Sequence, residues 1–150
     1  MKHFCVVYVS VISEQVPPRA ADPHILLGKH TLDGAAWRLP GGLLDRAELP
    51  ADAASRILQE ETSIAFPAQR LRFIDHKIVS DTRCVGPDEP HMLGHLYQAH
   101  IDHILIEPGY AMPQVDWFRL QAARELLARD LIIPDHRELL RKSLERYATI

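Results

Sequence analysis

Two glycines, an arginine and a pair of adjacent glutamates carry the chemistry that this sequence offers. They lie in the stretch from Leu39 to Ile64, LPGGLLDRAELPADAASRILQEETSI. It opens as the end of a strand and turns through a tight Gly41-Gly42 loop. From Pro50 onward Ala53, Ala54, Ile57 and Leu58 fall at helical spacing. Glycines let a main-chain carbonyl approach a ligand or an ion with no Cβ in the way. Arg56 and Glu60 stand four apart on one helical row and can pair, while Glu61 falls on the next row, below Ile57. Both glutamates lie near the C-terminus of the helix, where the macrodipole disfavours negative charge. A hard divalent cation, which takes oxygen ligands, would supply the counter-charge. The bland alternative is a solvated face, with an Arg56–Glu60 surface pair worth under ~1 kcal/mol.

The spacing resembles the signature of the Nudix hydrolase family: a glycine, five residues, a glutamate, seven residues, then Arg-Glu-aliphatic-x-Glu-Glu-x-Gly-aliphatic. Gly42, Glu48, Arg56, Leu58, Glu60, Glu61 and Ile64 stand in matching positions, and Trp37 with Leu39-Pro40-Gly41-Gly42 resembles the family's approach to the motif. Two positions depart from it. Ile57 replaces the glutamate after the arginine, and Ser63 replaces the second glycine.

The resemblance implies an α/β/α sandwich with a mixed sheet and the box as a loop-helix-loop beside it. It implies hydrolysis of a diphosphate linkage in a nucleoside diphosphate derivative. Mg²⁺ or Mn²⁺ would neutralise phosphate charge and lower the pKa of an attacking water. On this reading a carbonyl of the Gly42 region, Glu60 and Glu61 hold the metal, and Arg56 orients the carboxylates. Glu48 braces the loop or a second ion. A later loop supplies a further acidic ligand or base, Glu107 first and Glu89 next, with Asp116 serving the fold or a substrate contact. Exchange of Glu60 or Glu61 for glutamine is expected to remove metal-dependent activity and spare the fold. Tyr97 and Trp117, with Tyr8, are aromatic candidates for stacking on a base, core packing being the default for each. A homodimer is implied by the resemblance alone. Ile57 can neither ligate a metal nor act as a base, which raises a second reading: a catalytically impaired nucleotide-binding domain acting as a sensor or partner module. Ile57 can equally pack inward beside Ala53 and Ala54. Ser63 alters only how the helix ends.

These residues need elements to position them. Alternation and turn residues predict strands over 4–13, 24–28, 71–80, 92–101 and 115–118. Helices are predicted from Pro50 to near Ser63 and over 120–129 and 134–147. Pro50 suits a first helical position, whereas Leu49 is a poor N-cap. Trp37-Arg38-Leu39 re-enters the core between turns. Strands around one central helix, followed by terminal helices, indicate an α/β domain with a mostly non-parallel sheet.

A length of 150 residues fits one domain over 1–150, and 47% apolar with 25% charged residues matches a globular chain. The net charge of −3 gives no sign of a nucleic-acid binder. Two cysteines, Cys5 and Cys84, are too few for a disulfide framework; reduced thiols and a cytoplasmic location are expected. No apolar stretch approaches the ~18–20 residues that span a bilayer, so no membrane partner is expected. His91, His95, His100 and His103 invite a zinc reading, but side chains four apart along a strand stand ~13 Å apart. Neither G-x-S-x-G nor a Walker loop is present. Arg137, Arg141, Lys142 and Arg146 alternate with leucines as on an amphipathic surface helix.

Overall fold

Strand β1 (Cys5–Ser13) is buried along almost its whole length, and its alternation divides the molecule into two cores. The computed structural model describes residues 5–14, 16, 22–30, 34–79, 92–102 and 112–148. Val6, Tyr8 and Ile12 face one way, against Leu120, Ala123, Leu139, Leu140 and Leu144. Val7, Val9 and Val11 face the other, against Ala53, Ala54, Ile57 and Leu58. A strand covered on both faces reads as a continuous apolar run, which is why the period-2 pattern is absent from residues 5–13.

The remaining strands are β2 (His24–Lys29), β3 (Gly41–Leu43), β4 (Arg72–Val79), β5 (Met92–Ile101) and β6 (Gln114–Arg119). They form one sheet in the order β4–β5–β1–β2–β6, with β3 also paired to β1. The β1–β5 pairing is parallel and the others are antiparallel, so the sheet is mixed. Helix α1 (Pro50–Thr62) covers one face, and α2 (Leu120–Ala128) with α3 (Pro134–Ala148) covers the other. This is the α/β/α sandwich. β1 pairs with β2 only at Ile12 and Ser13, and with β3 over Val6 to Tyr8. The glycine pair therefore enters at the point where β1 has parted from β2.

Predicted and observed boundaries agree closely; Phe4, Ser80 and Cys84 lie outside the described residues. The main difference is Gly41-Gly42, expected as a loop and found as a strand opposite Val7 and Tyr8. Gly41 is what permits it, since a Cβ there would stand 2.6 Å from a Tyr8 ring carbon and 2.7 Å from the Val7 carbonyl oxygen. Helix α1 begins at Pro50 after Leu49, which offers no side-chain cap. It ends on Ser63 in the left-handed region, φ 63°. In α3, Leu139, Leu140 and Leu144 are buried, and Arg141 and Glu138 pair on its outer side. No helix among the described residues is long and apolar enough to cross a membrane.

Candidate active site

The approach to the glycines is fixed from both sides. Arg38 exchanges reciprocal main-chain hydrogen bonds with Gly28, both 2.8 Å, and the Leu39 amide donates to His136 Nδ1 on α3 at 3.0 Å. Trp37 and Leu39 belong to the core under α2 and α3. By alternation Arg38 points the opposite way, toward α1. There its Nη2 donates to Glu61 Oε2 at 3.0 Å, while the Gly41 amide donates to Glu61 Oε1 at 2.8 Å. Arg38 and Glu61 are both buried, at 8% and 4% exposure. Burial is the dominant influence on Glu61 and pushes its pKa up; the Arg38 charge and the Gly41 amide pull it partly back. Arg38 Nε is buried with no hydrogen-bond partner.

A second cluster lies at the open edge. Arg56 donates Nε to Glu48 Oε2 and Nη2 to Glu48 Oε1, each at 2.9 Å. Its Nη2 also reaches the Leu43 carbonyl at 3.0 Å, and Nη1 reaches the Glu60 oxygens at 3.2 and 3.3 Å. Asp45 stands 3.4 Å from Nε, and its amide donates to Glu48 Oε1 at 2.9 Å. The hydrogen bonds from Arg56 hold the Glu48 carboxyl below its usual range and hold the guanidinium well above its own. Glu48 thus links Arg56 to the Asp45 amide.

Ile57 is 4% exposed and packs with Ala53, Ala54 and Leu58 in the core under α1. Its Cδ1 lies close enough to Gly42 that a Cβ there would be 3.2 Å away. The inward-packing alternative for Ile57 is therefore what the fold adopts. Glu61 shares that inward face, so the bland alternative of a solvated glutamate pair does not hold for it: Glu61 pairs with Arg38, and exposed Glu60 with Arg56.

A cavity of about 450 Å³ opens here, lined by Gly41, Gly42, Leu43, Arg56, Ile57, Glu60 and Glu61. It unites Gly42, Arg56, Glu60 and Glu61, with Glu48 behind Arg56. Tyr97 and Trp117 do not line it. They are half-buried against the core under α1, on strands with β1 and β2 between them. Tyr97 instead meets Phe73 edge-on, ring centroids 5.7 Å apart. Tyr8 lies in the opposite core, edge-on to His136 at 4.6 Å. Exposed Asp116 accepts the Trp117 amide at 2.8 Å, a local contact. Glu107, Glu89, His91 and His103 lie outside the described residues. Among those described, no group of three or more His, Cys, Asp or Glu side chains converges as a metal site. Sequence reasoning missed Arg38 and His136. The available signal for Arg38 was a charge inside an apolar alternating run, since such a residue is rarely buried without a partner; His136 had none.

A sequence model of the NUDIX domain matches residues 7–142. No curated protein matches the chain significantly. Among solved structures, the NUDIX domain of Shewanella oneidensis NrtR complexed with ADP ribose is similar at 16% identity and TM-score 0.76, covering 98% of this chain and 90% of that one. A MutT/nudix family protein from Enterococcus faecalis is similar at 19% identity and TM-score 0.77, covering 99% of this chain and 63% of that one. A bifunctional NMN adenylyltransferase/ADP ribose pyrophosphatase from Francisella tularensis, complexed with AMP and a Mn ion, is similar at 23% identity and TM-score 0.71, covering 97% of this chain and 42% of that one. At these identities the structures testify to fold, and the family model, matching most of the chain at the box and around it, testifies to kinship: the chain belongs to the Nudix family.

Proposed function

We propose that this Nudix domain takes a nucleoside diphosphate derivative into the cavity beside α1 and hydrolyses its diphosphate linkage, with turnover held down by Ile57. The observation that carries this reading is that the cavity is lined by box residues, among them Gly42, Arg56, Glu60 and Glu61. Its volume of about 450 Å³ suits a small ligand. The ADP-ribose and AMP complexes of similar structures support the ligand class. In this reading Gly42 lets the diphosphate approach the main chain. Arg56, held by Glu48, supplies a fixed positive charge beside it. Glu60, the exposed member of the pair, orients a water and accepts its proton.

The family generally implies a divalent ion, Mg²⁺ or Mn²⁺. The donors as folded do not fit one held by Gly42, Glu60 and Glu61. Ile57 offers no oxygen, and both oxygens of Glu61 are engaged, one of them by a buried guanidinium 3.0 Å away. Glu60 remains, shared with Arg56.

The test is a panel of nucleoside diphosphate derivatives under single-turnover conditions, with and without Mg²⁺ and Mn²⁺, alongside calorimetric binding. Slow release of nucleoside monophosphate, lost in Glu60→Gln, is the expected result. The burial of Ile57 and the Arg38–Glu61 pair favour a second reading, a nucleotide-binding domain without turnover. Tight binding with no release at any metal concentration selects that one.

A further inference from the structure

We infer that Arg38 is the resident cation of this box: its guanidinium takes the place beside Glu61 that the family resemblance gives to a divalent ion, making Glu61 a positioning residue and not a metal ligand. The inference concerns ion binding and holds whether or not the cavity turns a substrate over.

Four observations converge on it. Strand alternation sends Arg38 toward α1, and its reciprocal main-chain bonds to Gly28 leave the backbone no freedom to turn the side chain out. Both oxygens of Glu61 are already engaged, Oε2 accepting from Arg38 and Oε1 from the Gly41 amide. The second contact ties the glycine strand to α1, which is a structural task. Arg38 Nε has no partner, so Glu61 is the counter-charge on which this buried guanidinium depends. A metal that drew Glu61 away would leave that guanidinium uncompensated in the interior. Lastly, Ile57 lies one helical turn before Glu61 and lines the same cavity. A glutamate there would add a negative charge that a single arginine could not balance. With isoleucine the pair is neutral as it stands. Arg38 and Ile57 together thus leave a closed ion pair where the family resemblance places a metal-binding cluster.

The experiment uses Mn²⁺ alone as the probe, on the full chain. Mn²⁺ affinity by electron paramagnetic resonance is expected to be the same in wild type and Glu61→Gln. Arg38→Met, which removes the charge, should bind Mn²⁺ at least about tenfold more tightly, and the gain should vanish in Arg38→Met/Glu61→Gln. Weaker Mn²⁺ binding in folded Glu61→Gln than in the wild type overturns the inference. So does a folded Arg38→Met chain with unchanged Mn²⁺ affinity. Should Arg38→Met fail to fold, the comparison of wild type with Glu61→Gln decides, and Arg38→Lys, which keeps the charge, is expected to remain indifferent to Mn²⁺.

Discussion

Arg56 grips Glu48 with two parallel hydrogen bonds, Nε to Oε2 and Nη2 to Oε1, each 2.9 Å long, across eight residues of sequence. With the further bond from Nη2 to the Leu43 carbonyl, one side chain fastens the segment between β3 and α1 to the helix that follows it. The geometry is a fork matched to a carboxylate, which lysine cannot reproduce.

Arg56→Lys is therefore expected to cost about 1 kcal/mol, a modest figure because the pair is partly solvated. Glu48→Gln should show its effect in acid. The Glu48 pKa is depressed below its ordinary 4.5 by Arg56. Its contribution is complete above the unfolded-state value and is lost as pH falls through the folded-state one. Urea denaturation from pH 6 down to about 3 should show a shallower loss of stability for Glu48→Gln than for wild type over that window. Parallel acid limbs in the two proteins would show that Glu48 is not tied to Arg56 in solution.

The adjacent glutamates should separate sharply. Glu60 is exposed and paired four residues away, so Glu60→Gln is expected to change stability by under ~0.5 kcal/mol while lowering any turnover by about 100-fold. Glu61→Gln leaves the buried Arg38 without its counter-charge and should cost about 3 kcal/mol. The expectation that both substitutions spare the fold is thus kept for Glu60 and replaced for Glu61 because Glu61 is buried. Equal denaturation midpoints for the two variants would place Glu61 in solvent.

The contrast marks what the amino-acid pattern alone can specify. Local signals carried the architecture. The uninterrupted apolar run of β1 requires two covered faces, Pro50 starts α1, and the Gly-Gly pair marks a close approach. Arg56 with Glu60 is a helical-row contact, legible from spacing alone. The Arg56–Glu48 fork joins positions eight apart, and Glu61 meets Arg38 across 23 residues. Spacing on one helix could place Glu60 and Glu61 side by side, but not say that one faces solvent and the other an arginine delivered by a different segment. His136 is farther still, 97 residues from the Leu39 amide it accepts from.

Ser63 ends α1 at φ 63°, a left-handed conformation that costs a residue with a Cβ more than it costs glycine. Its amide already caps the helix by donating to the Gln59 carbonyl at 2.9 Å. Ser63→Gly should keep this bond and relieve the strain, raising stability by up to about 1 kcal/mol, or roughly 3 °C in melting temperature. A lower melting temperature would mean that the serine is favoured by something other than its backbone.

Ile57 offers the most discriminating substitution, because it both fills the core under α1 and stands in the place of a box carboxylate. Ile57→Leu conserves volume and should cost under ~1.5 kcal/mol. Ile57→Glu puts a charge among Ala53, Ala54 and Leu58, and destabilisation of about 3 kcal/mol or more is expected, from lost packing and desolvation together. A new carboxylate one turn before Glu61 is not by itself a metal site if Arg38 still holds Glu61, so Mn²⁺ should not rescue the single variant. Arg38→Met/Ile57→Glu is different. It removes the competing cation and supplies the missing oxygen, and an ion that binds only the folded chain then stabilises it by mass action. At about 100 times its dissociation constant, Mn²⁺ should return about 2.7 kcal/mol. Denaturation of the two variants with and without Mn²⁺ separates the cases. Rescue confined to the double variant assigns the block to Arg38. Full rescue of Ile57→Glu alone would mean that Glu61 exchanges its arginine for a metal freely, and that the isoleucine alone keeps the box from binding one.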